Sequence, residues 1–104
     1  MSESNTGHHE HQAVRERKKT QRPRPWKVLL HNDDFTTMDF VIHILIKYFR
    51  KTEAEATYVM LQVHRKGVGT AGVYPRDVAE TKVREVTDEA RENQMPLKVT
   101  AEPE

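Results

Sequence analysis

The stretch from Trp26 to Phe49 leaves this chain few folds to choose from. Trp26, Val28 and Leu30 alternate with Lys27, Leu29 and His31, the period-two pattern of a strand with one buried face. Met38, Val41, Ile42, Leu45 and Phe49 then recur at helical spacing. Phe40, Ile44 and Tyr48 add a second apolar line, so a helix over about 37–50 should be buried around much of its circumference. Between the two lies His31-Asn32-Asp33-Asp34-Phe35-Thr36-Thr37-Met38. Thr36 is expected to cap the helix, with Asp39 three residues on completing a short capping box and placing negative charge in the first turn. That leaves Asn32, Asp33 and Asp34 unaccounted for. One reading is an Asx turn with solvated carboxylates. The other is a row of acceptors presented to a ligand at a strand-to-helix turn.

The remaining elements follow from local signals. Thr52-Glu53-Ala54-Glu55 is a capping box opening a second helix. Its apolar positions are Ala54, Ala56, Val59, Met60 and Val63, and Gly67 ends it. His64 follows Met60 by four and shares its face. Val68 to Tyr74 reads as a second strand with a bulge or close approach near Gly69 or Gly72. Pro75 suits a helix start. A third helix over about 76–92 carries one narrow stripe, Ala79, Val83, Val86 and Ala90, and Asn93 can end it. Residues 96–101 alternate as a last strand, with 102–104 as a frayed end. The expected fold is therefore α+β: a small three-stranded antiparallel sheet packed against three helices in the order β-α-α-β-α-β.

Charge divides the chain. Residues 1–25 hold six basic and three acidic residues, against eleven and thirteen in the remainder. This first segment has no apolar residue beyond Met1, Ala13 and Val14. It cannot bury enough surface to offset ordering, so a disordered extension over 1–25 and one folded domain over 26–104 are expected. His8, His9 and His11 read as part of that solvated segment rather than as metal ligands. The absence of cysteine removes disulfides and thiolate metal sites. No apolar run is long enough to span a bilayer, and no signal-peptide pattern opens the chain, so a cytoplasmic protein is expected.

Asn32, Asp33, Asp34 and His64 form the one cluster with chemistry to offer. A hydrolase lacks a nucleophile here: there is no cysteine, and Ser2 and Ser4 lie in the tail. A metal-dependent hydrolase built on the Asn/Asp/Asp/His set has no recognised ligand spacing. A nucleic-acid module using the basic residues 15–24 lacks interleaved aromatics. Binding fits better. Carboxylate, amide carbonyl and neutral imidazole are acceptors, and an ammonium group has three donors and no acceptor. Met38, Ile42, Met60 and Val63 can supply an apolar hollow beside them, methionine adapting its shape to varied side chains. Such a pairing of amine clamp and hollow describes a site for a peptide N-terminus with a bulky first residue.

The run Trp26-Lys27-Val28-Leu29-Leu30-His31-Asn32-Asp33-Asp34-Phe35-Thr36-Thr37-Met38-Asp39-Phe40-Val41 resembles the opening motif of the ClpS adaptor family. Met60-Leu61-Gln62-Val63-His64-Arg65-Lys66-Gly67 and Ala79-Glu80-Thr81-Lys82-Val83 resemble its later motifs, in order, so that the likeness covers about 26–101. The family often has proline where Thr37 stands and glutamate where Asp39 stands. Both changes preserve a helix start. The resemblance implies a non-enzymatic adaptor, bacterial and without a cofactor. It would bind proteins whose first residue is Leu, Phe, Tyr or Trp and hand them to a Clp AAA+ ATPase–protease, modulating its substrate choice. It further implies that Asn32, Asp34 and His64 take the α-amino group with Asp33 as a supporting charge. Thr36, Met38, Val41, Ile42, Met60, Val63 and Leu97 would form the hydrophobic pocket, Met38 gating it against β-branched residues. Asp77, Glu80, Thr81 and Lys82 would face the N-domain of a ClpA- or ClpC-like ATPase. Residues 1–25 would help pass cargo on. A monomer without nucleic-acid or membrane partners is expected.

Overall fold

The computed structural model describes residues 23–104. Residues 1–22 of the expected disordered tail, with its histidines and most of its basic run, lie outside them. The described residues form β1 (Trp26–His31), α1 (Met38–Phe49), α2 (Glu53–Lys66), β2 (Val68–Tyr74), α3 (Arg76–Glu92) and β3 (Lys98–Pro103). The strands make one antiparallel sheet in the order β2-β1-β3. This is the α+β architecture the sequence predicts, with β1 at its centre.

Alternation along β1 explains the layering. Val28 and Leu30 are fully buried, and they pack in one core with Ile44 and Leu45 of α1, Met60 and Val63 of α2, and Val86 of α3. Each such side chain contributes about 1.5–3 kcal/mol on leaving water. Two of the alternate residues of β1 make polar pairings with β3 instead: Lys27 with Glu102 at 3.7 Å and His31 with Thr100 at 2.8 Å.

Two elements, α1 and β3, differ from expectation at their ends, β3 beginning at Lys98 rather than Pro96. Thr37, not Thr36, caps α1, its hydroxyl accepting from the Phe40 N–H at 3.1 Å. The Thr36 hydroxyl is already committed, donating to Asp33 Oδ2 at 2.7 Å, so the helix starts one residue later. The last strand runs to Pro103 rather than fraying after Ala101. Its register is set by β1, which places Glu102 opposite Lys27 and Pro103 opposite Trp26. Proline is tolerated there because β3 is an edge strand.

The second helix is bounded as its local chemistry dictates. Thr52 and Glu55 exchange both capping-box bonds, at 2.9 and 3.1 Å. Gly67 stops the helix in the left-handed region at φ 89°, its N–H donating to the Val63 carbonyl at 2.9 Å. The chain then passes directly into β2, which lies hard against α2. A side chain at Gly69 would place its Cβ 2.8 Å from Val63 Cγ2 and 3.4 Å from the Val59 carbonyl oxygen. Farther along, the register against β1 slips between Val28 and Leu29, leaving Ala71 as an extra, fully buried residue.

A single carboxylate ties α3 to α1. Glu89 accepts from Lys47 Nζ and the Tyr48 hydroxyl on one oxygen and is paired with His43 Nε2 on the other. These bonds outweigh partial burial and hold its pKa down to about 2, from an ordinary value of 4.5. Lys82 of α3 adds a bond to the Tyr48 carbonyl at the end of α1, at 2.8 Å.

Gly69→Ala should lower stability by about 1–3 kcal/mol, because the stiff Val63 side chain must move to admit the methyl group; thermal unfolding indistinguishable from wild type would contradict so close an approach. Glu89→Gln should cost about 1 kcal/mol at pH 7, its lysine and histidine partners being half exposed and screened by solvent. The depressed pKa makes the contribution complete above about pH 4.5 and lost as pH falls toward 2. Denaturant titrations at neutral and acid pH should therefore show the gap between variant and wild type closing on acidification.

Candidate functional site

The turn between β1 and α1 is built around Asp33. Its Oδ1 accepts from the backbone N–H groups of Phe35 and Thr36, at 2.8 and 2.7 Å, and its Oδ2 accepts from the Thr36 hydroxyl. Partial burial works to raise the Asp33 pKa. The bonds from the Thr36 hydroxyl, the Thr36 N–H and the Phe35 N–H prevail and hold it below the usual aspartate value. Asp33 thus remains charged while it shapes the loop.

A second link fixes where that loop sits. The backbone N–H of Asn32 donates to the Gly67 carbonyl at 2.9 Å. The end of β1 is thereby joined to the end of α2, and the last turn of α2 is brought beside the acidic corner. Asn32, Asp33, Asp34 and His64 border one hollow of about 390 Å³. That volume is at the small end of the ~300–1,000 Å³ range of ligand sites, room for one side chain and its backbone rather than an extended ligand.

The hollow has two chemistries. Val41, Met60 and Val63 are buried core residues whose surfaces form its apolar part, while Met38 stands 45% exposed at its mouth. Asn32, Asp34 and His64 are exposed, and no described residue hydrogen-bonds their side chains. The C-terminal end of α2 supplies His64, and the partial negative charge of a helix end favours a cation there. Two aspartates and a helix C-terminus make the polar side a place for positive charge, next to apolar walls.

Not every residue assigned to the pocket from the sequence lines it. Thr36, Met38, Val41, Met60 and Val63 do. Ile42 and Leu97 do not. Ile42 is half buried and follows Val41, turned about 100° further round α1. Leu97 is buried just before β3 and borders a different depression with Thr87 and Val99. Phe35 and Thr37 line the hollow although pattern reasoning singled out neither for it. The Asp-x-x-Thr spacing was the available signal, since an Asx turn at Asp33 displays the residue within it.

The residues assigned to a partner face sit on α3, away from the hollow. Asp77 and Glu80 are exposed, Glu80 pairing with Arg76 at 3.2 Å, and the Thr81 hydroxyl donates to the Asp77 carbonyl. Lys82 is half buried and spends its ammonium on the Tyr48 carbonyl. Among the described residues, no three His, Cys, Asp or Glu side chains converge to hold a metal ion, and no helix is long and apolar enough to cross a membrane.

Residues 21–100 match the family model described as ATP-dependent Clp protease adaptor protein ClpS. An ATP-dependent Clp protease adapter protein ClpS from Deinococcus radiodurans is 60% identical over 89 residues, covering 86% of this chain and 79% of that one. Its counterpart from Desulfatibacillum aliphaticivorans is 56% identical over 86 residues, 83% of each chain. Among solved structures, Agrobacterium tumefaciens ClpS2 bound to L-phenylalaninamide superposes with a TM-score of 0.77 at 44% identity, covering 80% of this chain and all of that one. With the fold, the three motifs and these relatives in agreement, the chain belongs to the ClpS family of Clp protease adaptors and is an adaptor rather than an enzyme.

Proposed function

We propose that this adaptor binds the free N-terminal amine and bulky hydrophobic first residue of protein substrates and delivers them to a Clp AAA+ ATPase. The observation that carries the reading is the meeting, in one hollow, of exposed acceptors on Asn32, Asp34 and His64 with the apolar surfaces of Val41, Met60 and Val63. The acceptors take the three donors of an ammonium group, Asp33 adds charge while holding the loop, and the first side chain enters the apolar part. The Agrobacterium relative, bound to an amide of phenylalanine, carries a ligand with both features: a free amine and a bulky aromatic group.

The two halves act together. A charge-assisted hydrogen bond gives about 1.5–3 kcal/mol, and burying a Leu or Phe side chain about as much. Association costs take a large share of the sum, so neither half suffices alone. A blocked amine leaves acceptors unpaired, and a small first residue leaves the apolar walls wet. Specificity for both features follows from those penalties.

Met38, exposed at the mouth, gates the hollow against residues branched at Cβ. The outer side of α3, with Asp77, Glu80 and Thr81, offers the ATPase N-domain a charged face, and Lys82 keeps that face in register with α1. The protein works as a cytoplasmic monomer.

Fluorescence anisotropy with peptides beginning Leu, Phe, Val or acetyl-Leu tests this function directly. Leu and Phe should bind, Val and acetyl-Leu should not; tight binding of the acetylated peptide would remove the amine clamp. His64→Ala should weaken the Leu peptide about tenfold, the loss of roughly one charge-assisted bond, with thermal stability unchanged because His64 is exposed. Met38→Ala should admit the Val peptide; a panel that does not broaden denies the methionine its gating role.

A further inference from the structure

Phe35 is the most exposed of the large hydrophobic side chains among the described residues, at 77%. An aromatic ring left in water is not itself unusual. Its setting is. Phe35 borders the hollow together with Asp34 and Met38, and its backbone N–H is bonded to Asp33 Oδ1 at 2.8 Å. The ring is therefore carried by an ordered turn, at the lip of the hollow rather than in its floor.

A chain whose first residue fills the hollow must leave across that lip. The α-amino group and the first side chain lie inside, so the second residue is the first group to pass outside. Resting on the function proposed above, we infer that Phe35 is a specificity-determining residue: its ring provides the contact surface for the side chain of the second residue of the bound chain, favouring apolar residues there. The aromatic face suits an aliphatic or aromatic partner, because contact removes apolar surface of both from water. Glycine at the second position forgoes that contact.

The test compares three probes by calorimetry: phenylalaninamide, a Phe-Gly peptide and a Phe-Leu peptide otherwise identical. The wild-type protein should bind the Phe-Leu peptide roughly three- to tenfold more tightly than the Phe-Gly peptide, as partial burial of a leucine allows. Phe35→Ala should erase that difference, weakening the Phe-Leu peptide more than it weakens phenylalaninamide or the Phe-Gly peptide, since the backbone bond to Asp33 survives the substitution. Phe35→Leu should restore most of it. Equal binding of the two peptides by wild type overturns the inference, as does a Phe35→Ala loss that is the same for all three probes, which would make the ring a support of the hollow. Failure of wild type to bind any probe overturns the amine-and-side-chain reading itself, and this inference with it.

Discussion

One backbone hydrogen bond, from the Asn32 N–H to the Gly67 carbonyl, sets the relation of everything else at the site. It joins the end of β1 to the end of α2, residues far apart in the chain. Gly67 can offer that carbonyl because it adopts φ 89°, a conformation that strains any residue with a Cβ. The same residue stops α2, so that His64 falls in the helix's last turn, beside the acidic loop. The hollow is thus a consequence of how a helix ends. Its apolar surfaces belong to the core, and its polar side belongs to two termini that meet over that core.

The polar residues of the loop divide the work. Asp33 takes three donors from its own turn, and Thr36 gives up its hydroxyl to Asp33 and with it the role of helix cap. Thr37 takes the cap in its place. Asn32 contributes its backbone to the fold and leaves its amide exposed. Asp34 and His64 leave their side chains exposed as well. An Asx turn and the proposed ligand site do not compete for the same residues: Asp33 makes the turn, and the exposed acceptors stand on Asn32 and Asp34 beside it.

Local chemistry made much of the fold legible. The period-two run of β1, the Thr52–Glu55 box, the Gly67 stop and the narrow stripe of α3 each depend on residues within a few positions of one another, and those elements begin or end where the pattern places them. What was not legible depends on partners distant in sequence or on a choice between like residues. The end of β3 is decided by its pairing with Trp26 and Lys27. Thr36 and Thr37 are equivalent as caps until the Asp33 turn claims one of them. Ile42 and Leu97 show the limit for the site: an apolar residue in a helix or beside a strand carries no mark that tells a pocket wall from core packing. The meeting of Asn32 with the last turn of α2 had no local signal either: His64 groups with the acidic corner because those residues alone offer chemistry, and resemblance to a family gives the grouping its role.

The placement of the acceptors also explains why such a site is compatible with a small domain. A core of this size cannot bury unpaired polar groups without losing several kcal/mol for each, and among the described residues none that is buried is polar or charged. The free acceptors instead stand exposed at the edge, while the walls below them are side chains the core needs in any case. Opening the hollow therefore exposes parts of Val41, Met60 and Val63 rather than adding new apolar residues to the surface. The exception is the lip, where Met38 and Phe35 stand in water. These two alone among the described lining residues are large, apolar and exposed, so substitutions there should have little consequence for the fold.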